Sequence, residues 1–511
     1  MSEPEQQPGT INAAAILAAV FIIAISGLIY ELLAGTVASY LLGDSVLQFS
    51  TVIGVYLSAM GVGAFLSGMI DKKLIARFIE VEIALALVGG LSSTILYFAF
   101  ARVGAFGVVL YGLVLLIGTL VGLELPLLLR ILKDRYELKD LVQRVLTVDY
   151  VGALVAALAF PLLIVPKLGM VRGSFAVGAL NALVALLLTL AFSREVLPAR
   201  TVWRLRVQGF VVLAVLLAGL VMSDRITSLT EEELYADAIV YTESTPYQRI
   251  VITRGRASFQ LFLNGNLQFA SADEHRYHEA LVHPVMAVVG APKRVLVLGG
   301  GDGLAVREIL QHPSVEKVTL VDLDPAMTRL AREHPLLLAQ NKDAVADPRV
   351  EVVNADAMIW LGEITDKYDV AIVDFPDPNT FSLGKLYTTR FYRLLARALT
   401  AEGAVVVQAT SPLLARKSFW CVVETMEAAG WSARAYHATV PAFGEWGYVL
   451  AARKPFDVPQ ETVANLKYLD GPTMRSMFVF PRDMSRVSAE VNRLDNQILV
   501  QYYEEEWSRW N

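Results

Sequence analysis

The chain has 511 residues, 55% of them hydrophobic, and a mean hydropathy of +0.49. It is long enough for two or three domains but too apolar for an ordinary soluble protein, and the apolar excess sits in residues 1–223. A formal net charge of −6 offers no basic face for nucleic acid and suits a cationic substrate; one cysteine, Cys421, and six scattered histidines exclude a disulfide framework and a zinc-type metal site.

Seven apolar runs approach the ~20 residues that a membrane-spanning helix needs. They are Ile11–Leu33, Phe49–Ile70, Ile79–Phe100, Val103–Leu125, Val145–Val165, Val171–Phe192 and Val207–Met222. Small residues such as Gly61, Gly63 and Gly68 recur in them, as close helix packing in lipid requires. A multi-span membrane domain over 1–223 is therefore predicted, in preference to a soluble all-helical core. Three acids, Glu31, Glu124 and Asp149, lie in or at the ends of these runs. Each is either paired with Arg130 or Arg144, placed at the interface, or functional, because an unpaired carboxylate in lipid is costly.

Basic residues cluster after the second, fourth and sixth runs: Lys72, Lys73 and Arg77; Arg130, Lys133, Arg135, Lys139 and Arg144; Arg194, Arg200, Arg204 and Arg206. The other side holds only Arg102, Lys167 and Arg172. Positive-inside counting puts the N-terminus in the cytoplasm and, with seven spans, the C-terminal half outside a cell (inner) membrane. A ligand made inside the cell argues for a cytoplasmic catalytic domain instead.

After Asp224 the composition becomes that of a soluble protein. Residues 224–290 read as a small antiparallel β domain with a helix: Ala238–Tyr241, Arg249–Thr253 and Phe259–Leu263 alternate as half-buried strands. Asn264-Gly265 between apolar runs is a hairpin signal. The helix-like stretch SADEHRYHEALVHP then carries Tyr277 and His278, residues of a core helix or groups turned towards a cleft.

Residues 291–455 alternate strands and helices, VLVLG, VTLVD, VEVVNAD, YDVAIVD and AVVVQA, and predict an α/β, Rossmann-like doubly wound parallel sheet of the methyltransferase type. The glycines of VLVLGGGDG, including Gly299 and Gly301, let the backbone approach a ligand. Asp302 puts a negative charge where a phosphate-binding loop has none, so the ligand is adenosine-like and cationic. Asp322 closes the second strand, where an acid can hold both hydroxyls of a ribose. Asp356, Asp374 and Asp377 end later strands, with Gln408 after the fifth. One such acid can be a helix cap; five on one rim call for a cation or for adenosine hydroxyls and amines. The remainder, 456–511, is a polar tail with Tyr502, Tyr503, Trp507 and Trp510, whose role cannot be read from sequence.

Taken in order, TPYQRI, LNGNLQ, DEHRYHE, VLVLGGGDG, VDLDP, NADA, YDVAIVDFPDP and LYTTRFY resemble the spermidine synthase (polyamine aminopropyltransferase) family in its membrane-fused, multi-span form, over roughly Ala238–Arg453. The resemblance implies transfer of an aminopropyl group from decarboxylated S-adenosylmethionine, a cosubstrate and not a permanent cofactor, to a diamine or polyamine such as putrescine, releasing methylthioadenosine. It implies that Asp302 holds the aminopropyl ammonium, Asp322 (where Glu is usual) the ribose, and Asp356 and Ala357 the adenine. Gln248, His278, Gly299 and Gly301 complete the cosubstrate site. Tyr277, Gln268 and Asp377 match diamine-binding positions, Asp374 matches the catalytic aspartate, and a homodimer fits the family. Two departures touch the acceptor side: Phe375-Pro376 replaces a small polar pair, and VPAFGEWGY, with Pro441, Phe443 and Trp446, replaces a tyrosine-bearing turn. The rival readings are an S-adenosylmethionine methyltransferase, which Asp302 disfavours by repelling the cosubstrate carboxylate, and a polyamine transporter or sensor.

Overall fold

The computed structural model describes residues 13–42, 45–102, 105–133, 137–191, 197–232, 235–463 and 465–509. Ile11, Val103, Arg135, Phe192 and Arg194, which the sequence reading uses, lie outside them. The chain divides into two compact units, Met1–Ala236 and Asp237–Asn511. The first is helical: α1 (Ala13–Leu42), α2 (Ser45–Ser67), α3 (Leu74–Arg102), α4 (Phe106–Leu132), α5 (Leu138–Ala159), a π-helical stretch Phe160–Leu168, α6 (Gly169–Ala191) and α7 (Ala199–Glu232). Long runs of Ala, Leu, Val and Ile give the helices their continuity, and glycine sets their spacing. A Cβ on Gly63 would stand 2.1 Å from the Thr119 carbonyl oxygen, and one on Gly122 2.1 Å from that of Met60, so α2 and α4 touch backbone to backbone.

Six helical segments among the described residues are long and apolar enough to cross a membrane, not the predicted seven. The fifth, Lys139–Leu190, runs for 52 residues and contains the predicted span Val145–Val165 and all but the last two residues of Val171–Phe192. No polar break separates them, because helical hydrogen bonding continues through Phe160–Leu168 despite Pro161 and Pro166. At 1.5 Å per residue this segment would be about 78 Å long if straight. It is not straight: Gly169 has φ 72° and ψ 177°. A Cβ on Gly173 would meet Ile164 Cγ2 at 2.7 Å, so the chain folds back there. Polar contacts pin the helix ends: Arg130 donates to the Ser67 carbonyl (2.6 Å), Arg204 pairs with Glu80, and Arg172 Nε donates to Ser223 Oγ (2.9 Å). Arg130 also pairs with Asp71 (3.3 Å). The partner of buried Glu124 is another acid, Glu82, rather than Arg130.

In the second unit β1 (Ala238–Ser244), β2 (Arg249–Arg254), β3 (Phe259–Leu263) and β4 (Asn266–Ala270) form an antiparallel sheet in chain order. Asn264 and Gly265 turn the β3–β4 hairpin at φ 51° and 80°. After α8 (Glu274–Val289) come β5 (Arg294–Gly299), α9 (Leu304–Ile309), β6 (Lys317–Asp322), α10 (Pro325–Glu333), α11 (Pro335–Asn341), β7 (Val350–Asn354), α12 (Ala357–Glu363) and β8 (Tyr368–Asp374). They are followed by α13 (Phe381–Gly384), α14 (Thr389–Ala398), β9 (Leu399–Gln408), α15 (Arg416–Ala428), β10 (Ser432–Val440), β11 (Gly444–Ala452), α16 (Gly471–Ser476) and α17 (Ile498–Trp507). The seven-stranded sheet has the order β10-β11-β9-β8-β5-β6-β7. The five predicted strands pair in parallel, but β11 runs antiparallel to β9 and to β10, so the sheet is mixed. The two extra strands form a hairpin turned at Gly444, φ 81°. Residues predicted as a separate β domain, a catalytic domain and a tail share this one unit.

Because Gly122 leaves no room for a side chain, Gly122→Leu should destabilise the helical unit by at least the 1–3 kcal/mol typical of overpacking. Thermal unfolding of detergent-solubilised protein measures this; an unchanged midpoint would mean that α2 and α4 do not pack this closely.

Candidate active site

The loop from β5 to α9 lies between two carboxylates. Gly299, Gly300 and Gly303 adopt φ of 79°, 63° and 81°. A Cβ on Gly299 would sit 2.3 Å from the Asp374 carbonyl, and one on Gly301 2.6 Å from Asp322 Oδ2. Glycine is required here by close approach as well as by backbone conformation. Asp322 accepts from the N–H groups of Gly301 (3.1 Å) and Asp324 (2.9 Å), yet burial still pushes its carboxyl up to about 6. Asp302 accepts from Leu304 N–H (2.8 Å); burial raises its pKa against the opposing pull of His278.

Asp374 ends β8 beside this loop. Tyr277 of α8 donates its hydroxyl to Asp374 at 2.6 Å. Burial pushes Asp374 up to about 6, although His278 and Tyr277 favour its charged form. Burial also opposes charge on His278, but Glu274, 2.9 Å from its Nδ1, outweighs that and raises it to about 9. Glu274 is in turn gripped by Arg307 through two hydrogen bonds (2.8 and 2.9 Å), so it stays well below the usual carboxylate range despite its burial. Of the predicted Tyr277–His278 pair, the phenol thus bonds Asp374 and the imidazole bonds Glu274, and both side chains are buried.

Asp377 accepts from Thr410 Oγ1 (3.0 Å) and Gln408 Nε2 (3.3 Å); burial pushes it up to about 6, against the pull of Thr410, of Tyr503 nearby and of Gln408. Thr410 is absent from the sequence reading, and Tyr503 stands there only as one aromatic of the tail, with no role. Threonine after a strand carries no signal of its own, and Tyr503 belongs to α17, far along the chain. Gln408 also bonds the Tyr387 hydroxyl (3.0 Å) and accepts from Trp446 Nε1 (3.2 Å). The replaced turn therefore lines this side, with Phe443 6.1 Å from the Tyr277 ring. Phe375 instead packs into the core against Phe391, ring centres 5.7 Å apart.

The adenine-side residues are placed differently from a bare carboxylate pocket. Asp356 caps α12 by accepting from Met358 and Ile359 N–H, leads into Ala357, and pairs with Lys385 at 2.6 Å. Burial opposes its charge, but Lys385 and the cap hold it below the ordinary value. Gln248 donates to Asp324 Oδ2 (2.9 Å), which ties the small sheet to the loop after β6. Gln268 donates to the Asn266 carbonyl (3.1 Å) within its own hairpin, and no hydrogen bond joins it to the acidic group.

Asp302, Asp322, Asp374 and Asp377 thus surround a glycine loop, with one imidazolium among them. Such a rim on a Rossmann-like sheet suits a positively charged ligand. Residues 274–461 match the Spermine/spermidine synthase domain. A polyamine aminopropyltransferase of Leptospira interrogans is 52% identical over 97% of this chain and 99% of its own length. Polyamine aminopropyltransferase 1 of Ralstonia nicotianae is 51% identical over 98% and 97%. A solved spermidine synthase in complex with the transition-state analogue AdoDATO is 29% identical and covers 48% of this chain and 85% of its own, with a TM-score of 0.45. The chain belongs to the polyamine aminopropyltransferase family, and it is a transferase of polyamine biosynthesis.

An amine held by Asp374 and Asp377 would need both ionised, and burial pushes each carboxyl up to about 6. Their pKa values are raised, so the competent form is lost as pH falls through that value. The kcat/KM for the amine should therefore drop at least tenfold between pH 6.5 and 5. A profile flat to pH 5 would mean that these carboxyls titrate lower.

Proposed function

We propose that Asp374 is the proton acceptor of aminopropyl transfer from decarboxylated S-adenosylmethionine to a diamine. The Tyr277–Asp374 hydrogen bond beside the glycine loop is the observation that carries this reading. Asp302 takes the aminopropyl ammonium, Asp322 the ribose hydroxyls, and Asp356 with Ala357 the adenine. Gln248 and His278 complete the cosubstrate side, and Gly299 and Gly301 allow its approach. Tyr277, Asp377 and Gln268 hold the diamine, with Tyr503 acting through Asp377.

In the reaction the acceptor nitrogen loses a proton to Asp374, and its lone pair attacks the propyl carbon bonded to sulfur. The C–S bond breaks, and its electron pair stays on sulfur as the neutral thioether of methylthioadenosine. No general acid is needed for that leaving group. The work left to the protein is alignment and proton removal. A carboxyl at about 6 is a stronger base than one at the ordinary 3.8.

Asp374→Asn should lower kcat by about 10²–10⁴-fold with cosubstrate affinity kept. Tyr503→Phe should raise KM for the amine with less effect on kcat. Steady-state kinetics and cosubstrate titration separate these outcomes; wild-type kcat in Asp374→Asn would remove it from the mechanism.

We further infer that residues 1–223 form a multi-pass domain in the cell membrane, that 224–290 and 291–455 build the active site, and that 456–511 covers it. The catalytic unit faces the cytoplasm, because a charged nucleoside made there does not cross lipid. Six crossings put the catalytic unit on the cytoplasmic side with the N-terminus but carry Arg200, Arg204 and Arg206 outside; seven, counting the folded-back limbs separately, keep every basic cluster inside and put the catalytic unit outside. Reporter fusions at Asn511 test this: a cytoplasm-dependent reporter should be active, and activity only of an export-dependent one would place the catalytic unit outside.

A further inference from the structure

Four polar side chains, each from a different helix, meet inside the helical unit. Glu82 of α3 accepts from Asn181 Nδ2 of α6 at 3.2 Å, and the Glu124 carboxyl of α4 lies next to it. The hydroxyl of Tyr30, on α1, interacts electrostatically with both carboxyls. All four residues are buried, at 0% exposure for Tyr30, Glu82 and Asn181 and 4% for Glu124. Tyr30 reaches this place because α3 offers Gly89 to its ring; a Cβ there would stand 2.5 Å from it.

The group is unfinished. Glu82 Oε1, Glu124 Oε1, Asn181 Oδ1 and the Tyr30 hydroxyl are buried without a hydrogen-bond partner. Native proteins leave few such atoms, and each signals a bound ion, water or function. One proton shared between the two carboxyls would satisfy the two glutamate oxygens and leave Asn181 Oδ1 and Tyr30 as they are. A primary ammonium brings three N–H donors, as many as there are unpartnered acceptor oxygens on Glu82, Glu124 and Asn181, and its charge offsets the carboxyls.

We propose that Glu82, Glu124, Asn181 and Tyr30 form a second amine site, in the helical unit, which binds the ammonium end of a polyamine. The identity of the amine rests on the polyamine reading of the catalytic unit; the existence of a cation site does not. The helical unit is then a polyamine-binding module of the enzyme and not only an anchor.

The test uses full-length protein in nanodiscs and radiolabelled spermidine. Wild-type protein should bind two spermidines per chain. Glu82→Gln and Glu124→Gln should each lose one and keep turnover, while Asp374→Asn combined with Asp377→Asn should lose the other. Unchanged stoichiometry in the glutamate variants overturns the proposal. A second measurement needs no variant: a hydrophobic carbodiimide should modify Glu82 or Glu124, and spermidine at concentrations that saturate binding should protect them at least tenfold, as read by peptide mass spectrometry. Absence of protection by spermidine overturns the amine site, and so does protection by sodium alone. Protection in a protein that transfers no aminopropyl group would refute the catalytic reading and leave this site standing.

Discussion

The second unit depends on keeping carboxylates ionisable in a place from which water is largely removed. Asp322, Asp374 and Asp377 are each pushed up to about 6 by burial. Nearby elements limit that penalty. Gly301 and Asp324 present N–H groups to Asp322, Tyr277 presents a hydroxyl to Asp374, and Thr410 and Gln408 serve Asp377. Behind them Arg307 holds Glu274, which keeps His278 positive beside the loop. The glycine loop follows from the same demand, since a side chain at 300 or 301 would press on the Asp374 or the Asp322 carboxylate, and one at 299 would strike the Asp374 backbone carbonyl.

The surroundings of Asp377 are built from the far end of the chain. A Cβ on Gly384 would meet Val500 Cγ2 at 2.5 Å, so the segment after Asp377 and α17 lie in direct contact. Asn492 donates to the Gly384 and Tyr387 carbonyls at 3.1 Å each, and Glu506 accepts from Lys417 and Ser418 N–H at the start of α15. These bonds hold Tyr503 against Asp377. The tail lies beyond the matched domain, which ends at residue 461.

What could be read in the sequence was local. The Gly299–Asp302 loop, Asp322 and Asp374 sit at strand ends whose apolar runs announce themselves, and the Asn264-Gly265 turn fixes its hairpin. What escaped depends on distance or on hidden continuity. Tyr503 meets Asp377 only through tertiary packing. Glu82 sits near the start of an apolar run and looks like a flank, although the fold buries it against Glu124. The β10–β11 pair lacks the long apolar core of the parallel strands, and its antiparallel partner strand cannot be inferred from its own residues. Two spans merged because the polar break expected between them is a π-helical stretch closed by Gly169. Gln268 matched a motif, which does not announce that its amide also donates to the Asn266 carbonyl within the hairpin.

On the proposed roles, the raised carboxyls also give the reaction an order. A sulfonium about 5 Å from Asp374 would favour its charged form by ~3 kcal/mol at an effective dielectric of 20, or ~2 pKa units. A carboxyl that stands at about 6 in the free site would then be fully ionised at neutral pH once the cosubstrate is bound. The same cation lowers the pKa of an ammonium brought alongside it by a comparable amount. Both partners of the proton transfer therefore move down together, and their difference is kept while the amine approaches the pH of the medium. The uncharged amine that attacks becomes accessible only with the cosubstrate in place. An acceptor arriving first keeps its own proton, because no sulfonium lowers its pKa, so deprotonation follows cosubstrate binding.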